Sequence, residues 1–135
     1  MHRGVTVEQV EKAIGYCRGN GIQTGMFLMW GYEGETLEDI EHTVRHVKNC
    51  RPDVFLTTVS YPIKGTPYYE DVSKRLIRLG DWANSSDREV QIAGRHSRRF
   101  YEYADQWLKA EMSMNAAAID AARQGLQQTL EEVEA

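Results

Sequence analysis

The 135-residue sequence predicts an α/β fold in which parallel strands, laid out as a unit of a barrel or open sheet, are followed by a helical tail. Three observations predict it. Two segments with helical spacing, each opened by a threonine cap, alternate with two strand-like segments across connections of a few residues. The apolar run Met26 to Trp30 ends in a glycine-bearing acidic turn, Gly31 to Glu35. From Arg98 onward little breaks a helix until Glu134.

The first helix spans residues 6 to 18. Thr6 can accept from the amide of Gln9 while Gln9 reaches back, a capping box, and Val7, Val10, Ile14 and Cys17 recur at spacings of three and four. Gly19-Asn20-Gly21 closes it, because these residues reach the left-handed conformation at little cost. Ile22 to Met29 is near-continuously apolar, the pattern of a strand covered on both faces in a parallel sheet. Thr36, with Asp39 three residues on, caps a second helix whose apolar stripe is Leu37, Ile40, Val44 and Val47. Arg51-Pro52-Asp53 stops it, since proline cannot continue a helix.

Val54 to Tyr61 is rich in β-branched and aromatic residues and reads as the second strand. Strand, helix and strand then form one right-handed parallel crossover. Residues 62 to 67 are a loop, Tyr68 to Leu79 a helix, and Gly80 to Arg95 a polar, irregular stretch with a short strand at Val90 to Ile92. The tail places Tyr101, Leu108, Met112, Ile119, Ala122, Leu126, Leu130 and Val133 on one side, with Asn115 as a hinge, so it is a long helix or a helical hairpin. Gly125 weakens that helix by ~1 kcal/mol relative to alanine.

Composition bounds the partners. A net charge of -4 gives no reason to expect nucleic acid. The apolar runs fall far short of the ~20 residues a membrane helix needs, and no signal-peptide layout follows Met1, so a cytoplasmic protein with no membrane partner is expected. Cys17 and Cys50 lack CxxC or nearby histidine spacing of a metal motif and read as ordinary thiols, with no metal site indicated.

In a parallel sheet, ligands meet the carboxyl ends of the strands. Glu33 and Glu35 therefore sit where site acids would, although acids before a helix also complement its dipole. Gly31 and Gly34 permit close backbone approach, and Tyr61-Pro62 ends the second strand where it can complete an apolar slot with Met26, Met29 and Trp30, residues more often found in a core. His42 and His46 have the i, i+4 spacing of metal ligands but no third ligand near in sequence, which favours a solvated helix face. Arg95 to Arg99, with Phe100, Tyr101 and Tyr103, mixes cations and aromatics as single-strand sites do; a cationic helix start packed on acidic loops is the simpler reading.

Several pieces, in order, resemble the C-terminal half of the catalytic barrel of radical S-adenosylmethionine (radical SAM) enzymes. They are Met1-His2-Arg3-Gly4-Val5-Thr6 before a helix, Gly21-Ile22 before a strand, the turn Gly31-Tyr32-Glu33-Gly34-Glu35-Thr36 where many members have Gly-Leu-Pro-Gly-Glu-Thr, and Tyr61-Pro62 with Gly65-Thr66-Pro67-Tyr68-Tyr69. Arg98-Arg99-Phe100-Tyr101 with Ala104, Trp107 and Leu108 is similar to the C-terminal region of members that carry a cobalamin-binding domain, a group resembling anaerobic magnesium-protoporphyrin ester cyclases.

The resemblance implies a partial, TIM-like half barrel over residues 1–70, an irregular connection over 71–97 and a helical tail over 98–135. The two strands would be the fifth and sixth of the family's six. Members carry Gly-x-Ile-x-Gly-x-x-Glu on the fifth strand, against the adenine of the cofactor. Met29-Trp30-Gly31 falls on its Ile-x-Gly part, Phe27 stands at the first glycine, and the glutamate comes one place late at Glu35. Phe27, Met29, Trp30, Gly31, Glu35, Tyr61 and Pro62 are the implied cofactor-binding residues. The parent would use S-adenosylmethionine, a 4Fe-4S cluster and, in this subgroup, cobalamin on a small-molecule substrate.

The family's Cys-x3-Cys-x2-Cys loop is not in this sequence, which holds two cysteines, so the 135 residues alone would supply no catalysis. The alternative is a non-catalytic α/β binding or oligomerisation module. Either way, two strands with open edges imply that the isolated chain self-associates.

Overall fold

A computed structural model describes residues 4–78 and 90–134. Met1 to Arg3 and the polar stretch from 80 to 89 named above lie outside the described residues, as does the side chain of Val133. The element order is α1 (Val7–Gly19), β1 (Gly25–Trp30), α2 (Leu37–Cys50), β2 (Val54–Val59), α3 (Pro67–Val72), a 3-10 turn (Ser73–Arg75), β3 (Leu76–Arg78), β4 (Val90–Ile92), α4 (Arg98–Met112) and α5 (Ala116–Glu134).

Both capping boxes form. The Gln9 amide donates to Thr6 Oγ1 at 3.3 Å and the Thr6 amide to Gln9 Oε1 at 2.9 Å. At α2 the corresponding distances are 3.3 Å from the Asp39 amide to Thr36 Oγ1 and 2.8 Å from the Thr36 amide to Asp39 Oδ2. Each box satisfies two amides that the helix itself leaves without acceptors. The helices differ in how much of their stripe is covered: α2 buries Ile40, Val44, Val47 and Cys50, whereas α1 buries only Ile14.

β1 and β2 are parallel and in register from Gly25↔Val54 to Trp30↔Val59. Asp53 ties their starts together, its carboxylate accepting from the Thr24 amide at 2.6 Å. The strands are shorter than the sequence suggests. β1 starts at Gly25 rather than Ile22, and β2 ends at Val59 rather than Tyr61.

The expectation that both faces of β1 are covered is corrected. Met26, Leu28 and Trp30 alternate with Gly25, Phe27 and Met29, and only the first set packs inward. Phe27 is 79% exposed and Met29 43%, while Val54 and Leu56 beside them in β2 are also exposed. A continuous apolar run thus carries two faces with different fates.

The covered face meets the tail. Trp30, Ile40, Val44 and Val47 form one core with Phe100, Tyr101, Ala104, Trp107 and Leu108 of α4 and Ala122 and Leu126 of α5. The tail is a hairpin: Met114 turns left-handed at φ 53° and the Asn115 carbonyl oxygen of the side chain accepts from the Ala118 amide at 3.1 Å. Gly125 has a packing reason. A Cβ there would lie 2.4 Å from Cε1 of Tyr103, so the bare backbone admits that ring between α4 and α5.

The helix expected from Tyr68 to Leu79 stops at Val72. Thr66 caps it and Pro67 begins it, but Leu76 turns extended and β3 pairs antiparallel with β4 through Leu76↔Ile92, Ile77↔Gln91 and Arg78↔Val90. Pairing with a distant segment overrides local helical preference there. The chain is therefore a mixed α/β protein with five helices, a two-stranded parallel sheet and a two-stranded ribbon among its described residues. None of these helices is long and apolar enough to cross a membrane.

Candidate functional site

The carboxyl ends of β1 and β2 carry a connected polar group. The Ser60 amide donates to the Trp30 carbonyl at 2.7 Å, extending the ladder by one step. Gly31 then turns at φ 74°, a conformation that other residues adopt with strain, and its amide donates to Glu35 Oε2 at 2.6 Å. Arg95 crosses from the start of the tail, donating from Nη1 to the Ser60 carbonyl at 2.9 Å. Its guanidinium stands 5.5 Å from the centre of the Tyr101 ring.

The missing side chain of Gly31 makes room for that cation. A Cβ at this position would fall 2.0 Å from Arg95 Nη2 and 3.2 Å from Tyr101 Cζ. Arg95 Nε and Trp30 Nε1 are buried without hydrogen-bond partners, so the Trp30 indole is held by packing, whereas Arg95 is also held by its bond to the Ser60 carbonyl.

Burial dominates the electrostatics. It pushes the Glu35 carboxyl above its ordinary range, with the neighbouring Asp39 adding to the rise and the Gly31 amide and Arg95 opposing it. Burial likewise raises the Tyr101 phenol against the pull of Arg95. It lowers His96, whose ring stacks on Phe100 at 4.1 Å and bonds to the Glu35 backbone. Glu33 points elsewhere and pairs with Arg75 at 2.5 Å.

The sequence-derived site residues divide by face. Phe27 and Met29 line the uncovered side of the sheet. Trp30 turns the other way, into the core at 1% exposure, and Pro62 is also buried. Tyr61 is half-buried beside it. Glu35 and Gly31 bond to one another, and the space over Gly31 belongs to Arg95.

Arg95 was legible only as a cation among aromatics. No periodicity points a guanidinium at a glycine 64 positions earlier in the chain, whereas the buried Phe100 and Tyr101 follow from the amphipathic stripe of α4. The other cations of this stretch are taken by helix contacts, Arg98 with Glu102 at 3.0 Å and Arg99 with Glu132 at 3.6 Å. Both acids lie on the tail helices, Glu102 in α4 and Glu132 in α5, rather than on loops, so the acidic partners differ from those expected for a cationic helix start.

Beside the edge of β1 that no described strand pairs with runs a groove of about 660 Å³. Phe27, Leu28, Met29 and Tyr32 form one side, and α1 and α2 the other through Val7, Glu11, Thr43 and His46. Glu8, His42, Arg45 and Asn49 also line the groove, so an apolar strand side faces a polar helix side. The sequence matches no protein-family model, no curated protein and no solved structure.

Proposed function

We propose that this chain is the C-terminal part of a radical SAM enzyme, carrying two helix-strand units of a half barrel and a helical tail. The observation that carries the reading is the two-faced parallel sheet. One face packs on helices of the chain itself, and on the other Phe27, Met29, Val54 and Leu56 stay exposed among the described residues. A barrel strand needs both: helices outside, and side chains of other strands inside.

In this reading the residues toward S-adenosylmethionine are Phe27 and Met29, an apolar surface of the kind that accepts an adenine ring, together with Tyr61 just beyond β2. Trp30 acts from behind, holding the end of β1 onto the tail, and Pro62 is buried. Gly31 serves the Arg95 contact, and Glu35 fixes the turn by accepting the Gly31 amide.

The chain does not fit a 4Fe-4S cluster. Its two cysteines are too few for the three thiolates such a site needs, so the contribution assigned here is binding alone. The parent enzyme would cleave S-adenosylmethionine to a 5'-deoxyadenosyl radical that takes hydrogen from a small-molecule substrate. Methyl transfer or ring closure would follow if the cobalamin subgroup is the right one.

Reading the DNA in frame upstream of Met1 tests the proposal. A Cys-x3-Cys-x2-Cys motif joined to this chain is the expected result. An in-frame stop codon directly ahead of a start at Met1, with its own ribosome site, would overturn it. The second reading, a non-catalytic binding or oligomerisation module, is favoured by the same exposed apolar face and would gain from that outcome.

A further inference from the structure

We infer that Glu11, His46 and Cys50 form a divalent-metal site of the zinc class that clips α1 to α2. The three donors come from both helices. His46 and Cys50 are one turn apart on α2, so their side chains share a face, and Glu11 reaches them from α1 across the helix contact. One ligand atom from each lies within 4.8 Å of the others.

The separations suit a tetrahedral ion. His46 Nδ1 is 3.2 Å from Glu11 Oε1, and Cys50 Sγ is 3.7 Å from Nδ1 and 3.8 Å from Nε2 of the same ring. Zinc bonds of about 2.0–2.1 Å to nitrogen or oxygen and about 2.3 Å to sulfur place such ligands about 3.3 Å (N to O) and about 3.6 Å (N to S) apart. The Glu11–Cys50 edge closes within 4.8 Å, and an ion needs the His46 ring, whose two nitrogens stand almost equally far from the sulfur, to turn one nitrogen toward both partners.

Charge points the same way. A carboxylate, a neutral imidazole and a thiolate together cancel a doubly charged cation, and a mixed oxygen, nitrogen and sulfur set favours zinc over magnesium or calcium. Cys50 is 3% exposed, which keeps its sulfur from competing ligands. Arg18 anchors the same helix end by donating to the Cys50 and Arg51 carbonyls, the latter at 2.9 Å.

Three protein ligands leave a fourth position. Glu11 and His46 both line the groove beside β1, so water or a small ligand from that groove completes the shell. The site depends on α1 and α2 alone and does not require a radical SAM parent.

Titration of the purified, reduced chain with Co2+, followed by displacement with Zn2+, tests the inference. One equivalent of Co2+ should give a thiolate-to-cobalt absorption band, and Zn2+ should abolish it. Because the chain has only two cysteines, Cys17→Ser isolates the relevant thiol: the band should persist in Cys17→Ser and vanish in Cys50→Ser.

Glu11→Gln and His46→Gln should each weaken Zn2+ binding by more than about tenfold, measured against a chromophoric chelator. His42→Gln should bind as the parent chain does, since His42 instead faces Glu38 at 3.9 Å. Absence of the thiolate band, its loss in Cys17→Ser, or unchanged affinity in Glu11→Gln and His46→Gln would overturn the site. Glu11 is exposed, so its variant remains informative even if Cys50→Ser does not fold.

Discussion

The two faces of the β1–β2 sheet are built from adjacent residues of the same strands and end in opposite environments. Trp30 is 1% exposed and Phe27, three residues earlier, 79%. The difference lies in what the rest of the chain supplies. The tail hairpin and α2 bring Phe100, Trp107, Leu108, Val44 and Leu126 to one side, while no described residue packs over the centre of the other. Alternation along a strand sorts side chains by face, but burial requires a partner layer. Here the layer exists for one face, while among the described residues the other face stays apolar and exposed.

The largest effect should come from the covered face. Trp30→Ala removes a fully buried indole that joins β1 to α4, and a loss of about 3–5 kcal/mol in unfolding free energy is expected by urea denaturation. Loss of less than about 1 kcal/mol would mean that the tail does not hold the sheet as described. Next in size is the helix contact beneath it. Gly125→Ala gains helical propensity of ~1 kcal/mol but drives a methyl group into the Tyr103 ring, so a net destabilisation of about 1–2 kcal/mol is expected. Stabilisation would show that α4 and α5 have room to separate.

At the boundary between the faces, Glu35 gives a pH signature. Its folded pKa is raised above the ordinary 4.5, chiefly by burial, so protonation favours the folded state. Its stabilising contribution is complete below about pH 4.5 and is lost as pH rises through the raised folded value. Glu35→Gln keeps an acceptor for the Gly31 amide and should gain stability relative to the parent chain as pH rises across that window. Parallel stability curves for the two proteins would contradict the burial of this carboxyl. The smallest effect belongs to the uncovered face: Phe27→Ser should change unfolding free energy of the monomer by no more than about 0.5 kcal/mol. A much larger loss would show that Phe27 packs on this chain after all.

Local chemistry was legible in the sequence. Thr6 with Gln9 and Thr36 with Asp39 announce both helix starts because each cap is made within four residues, and Asn115 marks the hairpin for the same reason. Leu76 to Arg78 does not announce itself as a strand, because its partner is the segment Val90 to Ile92 and the pairing is not local. Periodicity likewise cannot tell a strand covered twice from one covered once when both of its faces are apolar, which is why β1 reads as fully enclosed.

The site follows the same division. Gly31 and Glu35 are recognisable from the turn, but the arrival of Arg95 over Gly31 depends on how the tail folds back. His46 stands one helical turn before Cys50, against the expectation of no histidine near either cysteine, and Glu11 joins the pair only because α1 packs beside α2. Spacing within a helix is read from sequence; convergence between helices is read from packing.

The most direct test of the central claim, that the uncovered sheet face is a surface made for a missing layer, is the mass of the purified chain by light scattering across a wide concentration range. The 15.5 kDa chain should form larger species as concentration rises, and Phe27→Asp combined with Leu56→Asp, neighbours in register on that face, should return it to a monomer. A parent chain that remains a sharply melting 15.5 kDa monomer at every concentration would contradict it.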